Sequence, residues 1–180
     1  MNVHDAIRIK RAIRKFSDEP LSEDIVRRIV DSGRRAQSAK NRQPWHFIII
    51  RDRETLIKLS ELGTYAGHLA GAALGIAIIT PDPNQRWSIL FDAGQAAAYM
   101  QLAAWELGVG SCLATIYQLE AARALLGYPD DLHLHVALSF GFPLHSEQLT
   151  EKPKGGGRKA FAKITHLDHW TNDIDEIHER

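Results

Sequence analysis

The chain has 180 residues, 44% hydrophobic and 24% charged, a balance that supports one folded core and excludes a fibrous repeat or a chain disordered by composition. Lys plus Arg and Asp plus Glu both number 22, so the formal charge is zero and gives no ground for a nucleic-acid or acidic-membrane partner. The single cysteine, Cys112, excludes an internal disulfide and a cysteine-only metal cluster and fits a reducing compartment.

The opening MNVHDAIRIKR lacks the apolar core of a signal peptide. The longest apolar run, residues 69–79, is 11 residues against the roughly 20 a membrane-spanning helix requires. The expected location is therefore cytoplasmic, with no membrane partner. Val3, Ala6 and Ile7 have helical spacing and predict a short first helix that runs into KRAIRKF, where Lys10, Arg11, Arg14 and Lys15 concentrate positive charge in an otherwise neutral chain. Pro20 and Ser22 announce a second helix with Ser22 as N-cap, Glu23 and Asp24 in its first turn, and Ile25, Val26, Ile29 and Val30 on one face.

A turn, AQSAKNRQPW, leads into HFIIIRD, a buried strand, followed by a helix over RETLIKLSEL and a second buried strand over LGIAIIT. Gly67, Gly71 and Gly75 recur every fourth residue, a spacing read here as close helix packing. The longest periodic segment, Ser88 to Gly108, predicts a central helix buried along most of its girth; its many alanines suit close approach of a second helix. VGSCLAT predicts a third strand with Cys112 as a small buried residue. QLEAARALLG predicts a helix stopped by Gly127, and LHLHVALSFG a fourth strand with clean alternation of Leu132, Leu134, Val136, Leu138 and Phe140. From Phe142 the chain turns polar and Gly-rich, and its end has too little apolar surface to fold without support. Helices and strands around one sheet, in a single domain over 1–180, is the expected organisation.

Several chemistries are absent. There is no GxxxxGK[ST], so Gly155, Gly156 and Gly157 do not make a P-loop. GVGSCL carries Leu113 where a dinucleotide fingerprint needs its third glycine, and it follows a helix rather than a strand. His133 and His135 share a strand face and His166 and His169 lie three apart, but no HExxH or Cys/His spacing accompanies them, so no metal site is expected. No GxSxG elbow or other nucleophile signature appears, and no catalytic residue is named.

Three segments remain. KRAIRKF alone reads as a solvated basic helix end favoured by the helix dipole. AQSAKNRQPW alone is a helix-to-strand loop whose Ser38 and Asn41 are suited to a planar polar ligand. GGGRK alone is a linker.

Together, and in order, these segments resemble the nitroreductase family. Its opening basic motif, close to RRSIRKF, is KRAIRKF here, and its turn close to APSxxNxQPW is AQSAKNRQPW. Its helix end close to EALGLGSCW is WELGVGSCL, its GxP is GFP at 141–143, and its tail is similar to GRKAFAKITHLDHW. The resemblance implies an α+β fold with a central mixed sheet of four to five strands flanked by helices. It also implies an intertwined homodimer in which the tail, 142–180, packs on the partner subunit.

The resemblance further implies non-covalent FMN, with NADH or NADPH as electron donor and a small-molecule acceptor such as a nitroaromatic or quinone. Lys10 and Arg158 correspond to phosphate ligands, Arg11 to a ribityl or phosphate contact, and Arg14 to the cation at the flavin's pyrimidine edge. Ser38 and Asn41 correspond to ribityl and ring contacts, and Ala114, Thr115 and Ile116 to the backbone that approaches flavin N5. Ala12 stands where the motif has Ser, and Gln37 where it has Pro; the first removes a hydroxyl contact worth about 0.5–1.5 kcal/mol, the second loosens the loop. Other members use the same flavin for reductive dehalogenation or flavin breakdown. A non-enzymatic anion-binding module is the alternative outside the family.

Overall fold

The computed structural model describes residues 2–151 and 157–170. The expectations placed on Gly155, Gly156 and the terminal residues 171–180 lie outside these. No helix among the described residues is long and apolar enough to cross a membrane.

The first three helices each start where a side chain accepts one of the free N–H groups. Helix α1 (Val3–Ile9) is capped by Asn2, whose Oδ1 accepts from Asp5 N–H at 2.9 Å. In α2 (Glu23–Arg34) Ser22 Oγ accepts from Ile25 N–H at 3.3 Å, as the sequence predicts. After a 3-10 turn, Ala39–Asn41, strand β1 (His46–Ile50) runs into α3 (Arg53–Ser60), capped by the Asp52 carboxylate. A second 3-10 turn, Gly67–Leu69, precedes β2 (Leu74–Pro81), and α4 (Ser88–Glu106) leads to β3 (Gly110–Thr115). Helix α5 (Leu119–Leu126) ends on Gly127 in the left-handed conformation, φ 69°, and β4 (Leu132–Gly141) follows.

The strands lie in the order β1-β2-β4-β3, each neighbouring pair antiparallel. The parallel component of the expected mixed sheet is confined to an isolated bridge between Ala12 and Ser111. Both faces of the sheet are covered. Leu74, Ile76, Ile78, Leu138 and Phe140 pack against α2 and α4 through Val26, Ile29, Ala96, Ala97 and Met100. Ala77, Ile79, Ala114, Leu134 and Ala137 pack against α3, α5 and the second 3-10 turn. Burial on both faces explains why β2 reads as a continuous apolar run.

Three expectations need correction. The alternation along β4 is not clean: a bulge lies where Ile78 pairs with Val136 and Ile79 with Leu134, leaving His135 between them. Leu134 therefore faces one core and Val136 the other, because one extra residue reverses the pleat. The Gly67, Gly71, Gly75 spacing is not a helix-packing stripe, since Gly67 starts a 3-10 turn and Gly75 is in β2, where Leu56 of α3 packs on it. Helix α4 buries Ile89, Ala93, Ala96, Ala97, Met100 and Ala104 but leaves Leu90, Phe91 and Tyr99 exposed, so one flank lies open in the single chain.

Candidate functional site

The basic segment is bound into the sheet by its apolar residues. Lys10 N–H closes α1 on Ala6 C=O, and the chain then straightens along the β3 edge, Ile13 N–H donating to Ser111 C=O at 2.9 Å. It crosses beneath the end of β4, where Phe16 pairs with Pro143 and Ser17 N–H donates to Phe142 C=O at 2.9 Å. Ile13 is buried against Gly110 and Phe16 lies on Gly141; a Cβ at either glycine would come within 2.9 Å of those side chains. With Ile13 and Phe16 seated, Arg14 and Lys15 are exposed while Lys10 and Arg11 are half-buried. Arg11 Nε is buried with no hydrogen-bond partner among the described residues.

Beneath these cations lies a buried polar group. Cys112 is on the face of β3 that pairs with Ser139, and Ser139 Oγ is 2.7 Å from His68 Nδ1. Burial pushes the Cys112 thiol up, and the cations of Arg14 and Lys10 only partly offset it, so the thiol stays protonated at neutral pH. Burial also holds His68 below the ordinary histidine value, Arg14 adding to the effect and the Leu113 backbone opposing it. Lys10 is lowered chiefly by burial; the field of Cys112 opposes this and that of Arg158 adds to it. Arg158 therefore stands within electrostatic reach of Lys10. The structure gathers Lys10, Arg11, Arg14 and Arg158 at one end of the β3 edge.

The same edge carries outward-facing backbone donors. Ile116 N–H donates inward to His135 C=O at 3.0 Å, and Ser111 C=O faces outward to Ile13 N–H. The alternation of an antiparallel ladder then turns the N–H groups of Leu113 and Thr115 to the open side. Ala114 and Ile116 are buried, and Thr115 is exposed. Leu62 C=O receives both Tyr117 N–H and Gln118 N–H, which brings Gly63 so close to Thr115 C=O that a Cβ would lie 2.2 Å from it.

The turn carrying Ser38 and Asn41 is built from left-handed backbone: Lys40, Asn41 and Gln43 have φ of 55°, 52° and 50°. Such conformations cost non-glycine residues about 1–3 kcal/mol each, so local bonds must hold them. Ser38 Oγ accepts from Gln43 N–H at 2.8 Å, and Asn41 Oδ1 from Gln43 Nε2 at 3.3 Å. Gln37, in place of the expected Pro, is exposed. Asp92 of α4 accepts Ala39 N–H at 3.1 Å. Sequence reading missed Asp92; its signal was a lone carboxylate on the apolar face between Ile89, Ala93 and Ala96.

The structure does not bring this turn to the cations. The turn enters β1 at His46, which is aligned through Ile79 with Leu134, whereas the basic segment lies at Gly110, aligned with Gly141. Across three strand spacings of about 4.8 Å and about seven residues at about 3.4 Å, the two corners are roughly 28 Å apart. Between α4 and the β3–β4 face lies a cavity of about 230 Å³, lined by Leu90, Ala93, Gly94, Leu113, Thr115 and His135. His133 and His135 stack with ring centroids 6.0 Å apart. No group of three or more potential metal ligands occurs among the described residues.

The family model described as the nitroreductase family matches residues 7–64 and 61–142. The chain belongs to the nitroreductase family. A provisionally named NADH dehydrogenase/NAD(P)H nitroreductase of Archaeoglobus fulgidus is 34% identical over 151 residues, covering 79% of this chain and 86% of the relative. A protein of the same provisional name from Methanothermobacter thermautotrophicus is 30% identical over 179 residues, 94% of this chain and 88% of the relative. An FMN-dependent nitroreductase from Clostridium difficile R20291 superposes with a TM-score of 0.80 at 28% identity, covering 92% of this chain and 98% of that one. Its α+β architecture is thus that of nitroreductase-family structures.

Proposed function

We propose that this nitroreductase-family chain is an FMN-dependent NAD(P)H oxidoreductase that works as a homodimer. The observation that carries the reading is the clustering of Lys10, Arg11, Arg14 and Arg158 at the Gly110 end of the β3 edge, whose outward N–H groups at Leu113 and Thr115 follow further along the same strand. The donor set fits FMN chemically: cations suit a doubly charged phosphate, and a half-buried Arg11 with a buried Nε lacking a partner suits an anionic ligand oxygen. Lys10, Arg11 and Arg158 hold the phosphate and ribityl end. Arg14 places positive charge where the flavin's pyrimidine edge gains negative charge, and Ala12 adds no hydroxyl there. Thr115 donates its N–H toward N5, flanked by buried Ala114 and Ile116 that fix the edge.

FMN held there would supply hydride transfer between NADH or NADPH and an electron-poor acceptor such as a nitroaromatic or quinone. Because the Ser38–Asn41 turn leads into the sheet corner opposite the cations, roughly 28 Å away by strand spacing, a second copy supplies it in this reading. Two copies that cover each other's exposed α4 flank, with Leu90, Phe91 and the apolar cavity between them, build two such composite sites. Phe161 and Ile164 of the tail, exposed in the single chain, pack on the partner.

The visible spectrum of the purified protein, taken anaerobically before and after NADH and then NADPH, tests this. A yellow flavin spectrum bleached by either donor supports it. A colourless protein that does not take up FMN overturns it in favour of an anion-binding module. A flavin that neither nucleotide bleaches replaces it with another flavin reaction, reductive dehalogenation or flavin breakdown.

A further inference from the structure

We propose that Asp92 is a positioning residue for the flavin site: from within α4 it holds the left-handed Ser38–Gln43 turn in its ligand-binding shape. This rests on the flavin reading for the ligand and on the geometry below for the tether.

Asp92 is 3% exposed on a helix face otherwise made of Ile89, Ala93 and Ala96. A carboxylate there loses its hydration, and Oδ2 is buried without a hydrogen-bond partner among the described residues. Packing alone favours an apolar side chain at this position. What the carboxylate does instead is accept Ala39 N–H, 53 residues away in sequence, at 3.1 Å. Ala39 opens the 3-10 turn whose next residues, Lys40 and Asn41, have φ of 55° and 52°. Ser38 Oγ closes the far side of the turn on Gln43 N–H. The Ser38 hydroxyl and the Asn41 amide can present a fixed pair of polar groups only while that backbone is held against its own preference. Asp92 is the tie from the body of the protein, and its burial cost is the mark of a group kept for position rather than stability.

The test compares Asp92→Leu, which removes the acceptor and keeps an apolar volume, with Asp92→Asn, which keeps an oxygen for Ala39 N–H. Three quantities are read: amide hydrogen exchange along the chain, melting temperature, and the FMN dissociation constant from flavin fluorescence. In D92L, exchange should speed at least tenfold within residues 38–43 while the sheet and α4 stay protected, and the melting temperature should hold or rise. FMN affinity should fall at least tenfold, and D92N should recover both exchange and affinity to within about threefold of the parent.

Unchanged exchange over 38–43 in D92L overturns the tether. Faster exchange throughout the chain with a lower melting temperature overturns it too, because the role is then general stability. D92N behaving like D92L removes the hydrogen bond as the cause. If the parent binds no FMN, the flavin reading fails by itself and the exchange profile still decides whether Asp92 holds the turn.

Discussion

Arg14 is exposed because its neighbours Ile13 and Phe16 are the residues that bind the strand edge, and its charge reaches the buried Cys112 and His68 from the open side. Arg14→Ala should weaken FMN binding by roughly 10- to 100-fold, the equivalent of losing a charge-assisted hydrogen bond of about 1.5–3 kcal/mol, and should slow flavin reduction. Fluorescence titration and anaerobic stopped-flow absorbance check the two effects. Lys10→Ala and Arg158→Ala should release FMN more readily, with a weaker dependence of affinity on salt than the parent shows.

His68 gives a pH prediction with a definite sign. Its folded value is lowered, so below the ordinary value of about 6.5 the unfolded chain binds a proton that the folded chain refuses. Stability is therefore undiminished above about pH 6.5 and falls on acidification by up to about 1.4 kcal/mol per pH unit, until the folded histidine itself protonates. His68→Gln should flatten that slope in denaturant titrations between about pH 5 and 6.5. Cations and the Ser-Asn turn were legible as residue types because charge and turn chemistry are local. Asp92 and His68 were not, since each acquires its role from a partner 53 or 71 residues away.

At the level of elements, caps and strand punctuation carried most of the information. Ser22 caps α2 as read, and Ser22→Ala should cost about 1 kcal/mol in chemical denaturation. The docking of the basic segment depends on Gly110, where a new Cβ would lie 2.7 Å from Ile13 Cβ. Gly110→Ala should destabilise by about 1–3 kcal/mol and loosen FMN binding with it, because the cations are carried on the displaced strand edge. The β4 bulge was illegible: Leu132 to Phe140 alternates in sequence, yet His135 adds a residue opposite the Ile78–Ile79 step and reverses the faces. Only the pairing with β2 reveals it, since a bulge is a property of two strands. The glycines at 67, 71 and 75 misled for a related reason: equal spacing implies a shared face only if the backbone is helical throughout.

The whole molecule is where the proposed site becomes complete. A homodimer predicts about 40 kDa, twice the 20.2 kDa chain, in sedimentation or light scattering. Phe91 is 65% exposed on the open flank of α4, so Phe91→Asp should shift the protein toward the monomer and lose bound flavin in the same concentration range. Retention of flavin by a monomeric variant would separate the site from the dimer.

Sequence alone determined the helices, the four strands, the cationic segment, the polar turn and the resemblance to the nitroreductase family, because periodicity, capping and motif order are written in near neighbours. Tertiary structure alone decided that β3 is an edge with its Leu113 and Thr115 N–H groups turned outward. It also decided that the cations and the turn stand at opposite corners of one sheet, and that a buried Asp92 ties that turn to α4. Strand order, register and burial depend on which distant segments share a core, and no local pattern in the chain encodes that choice.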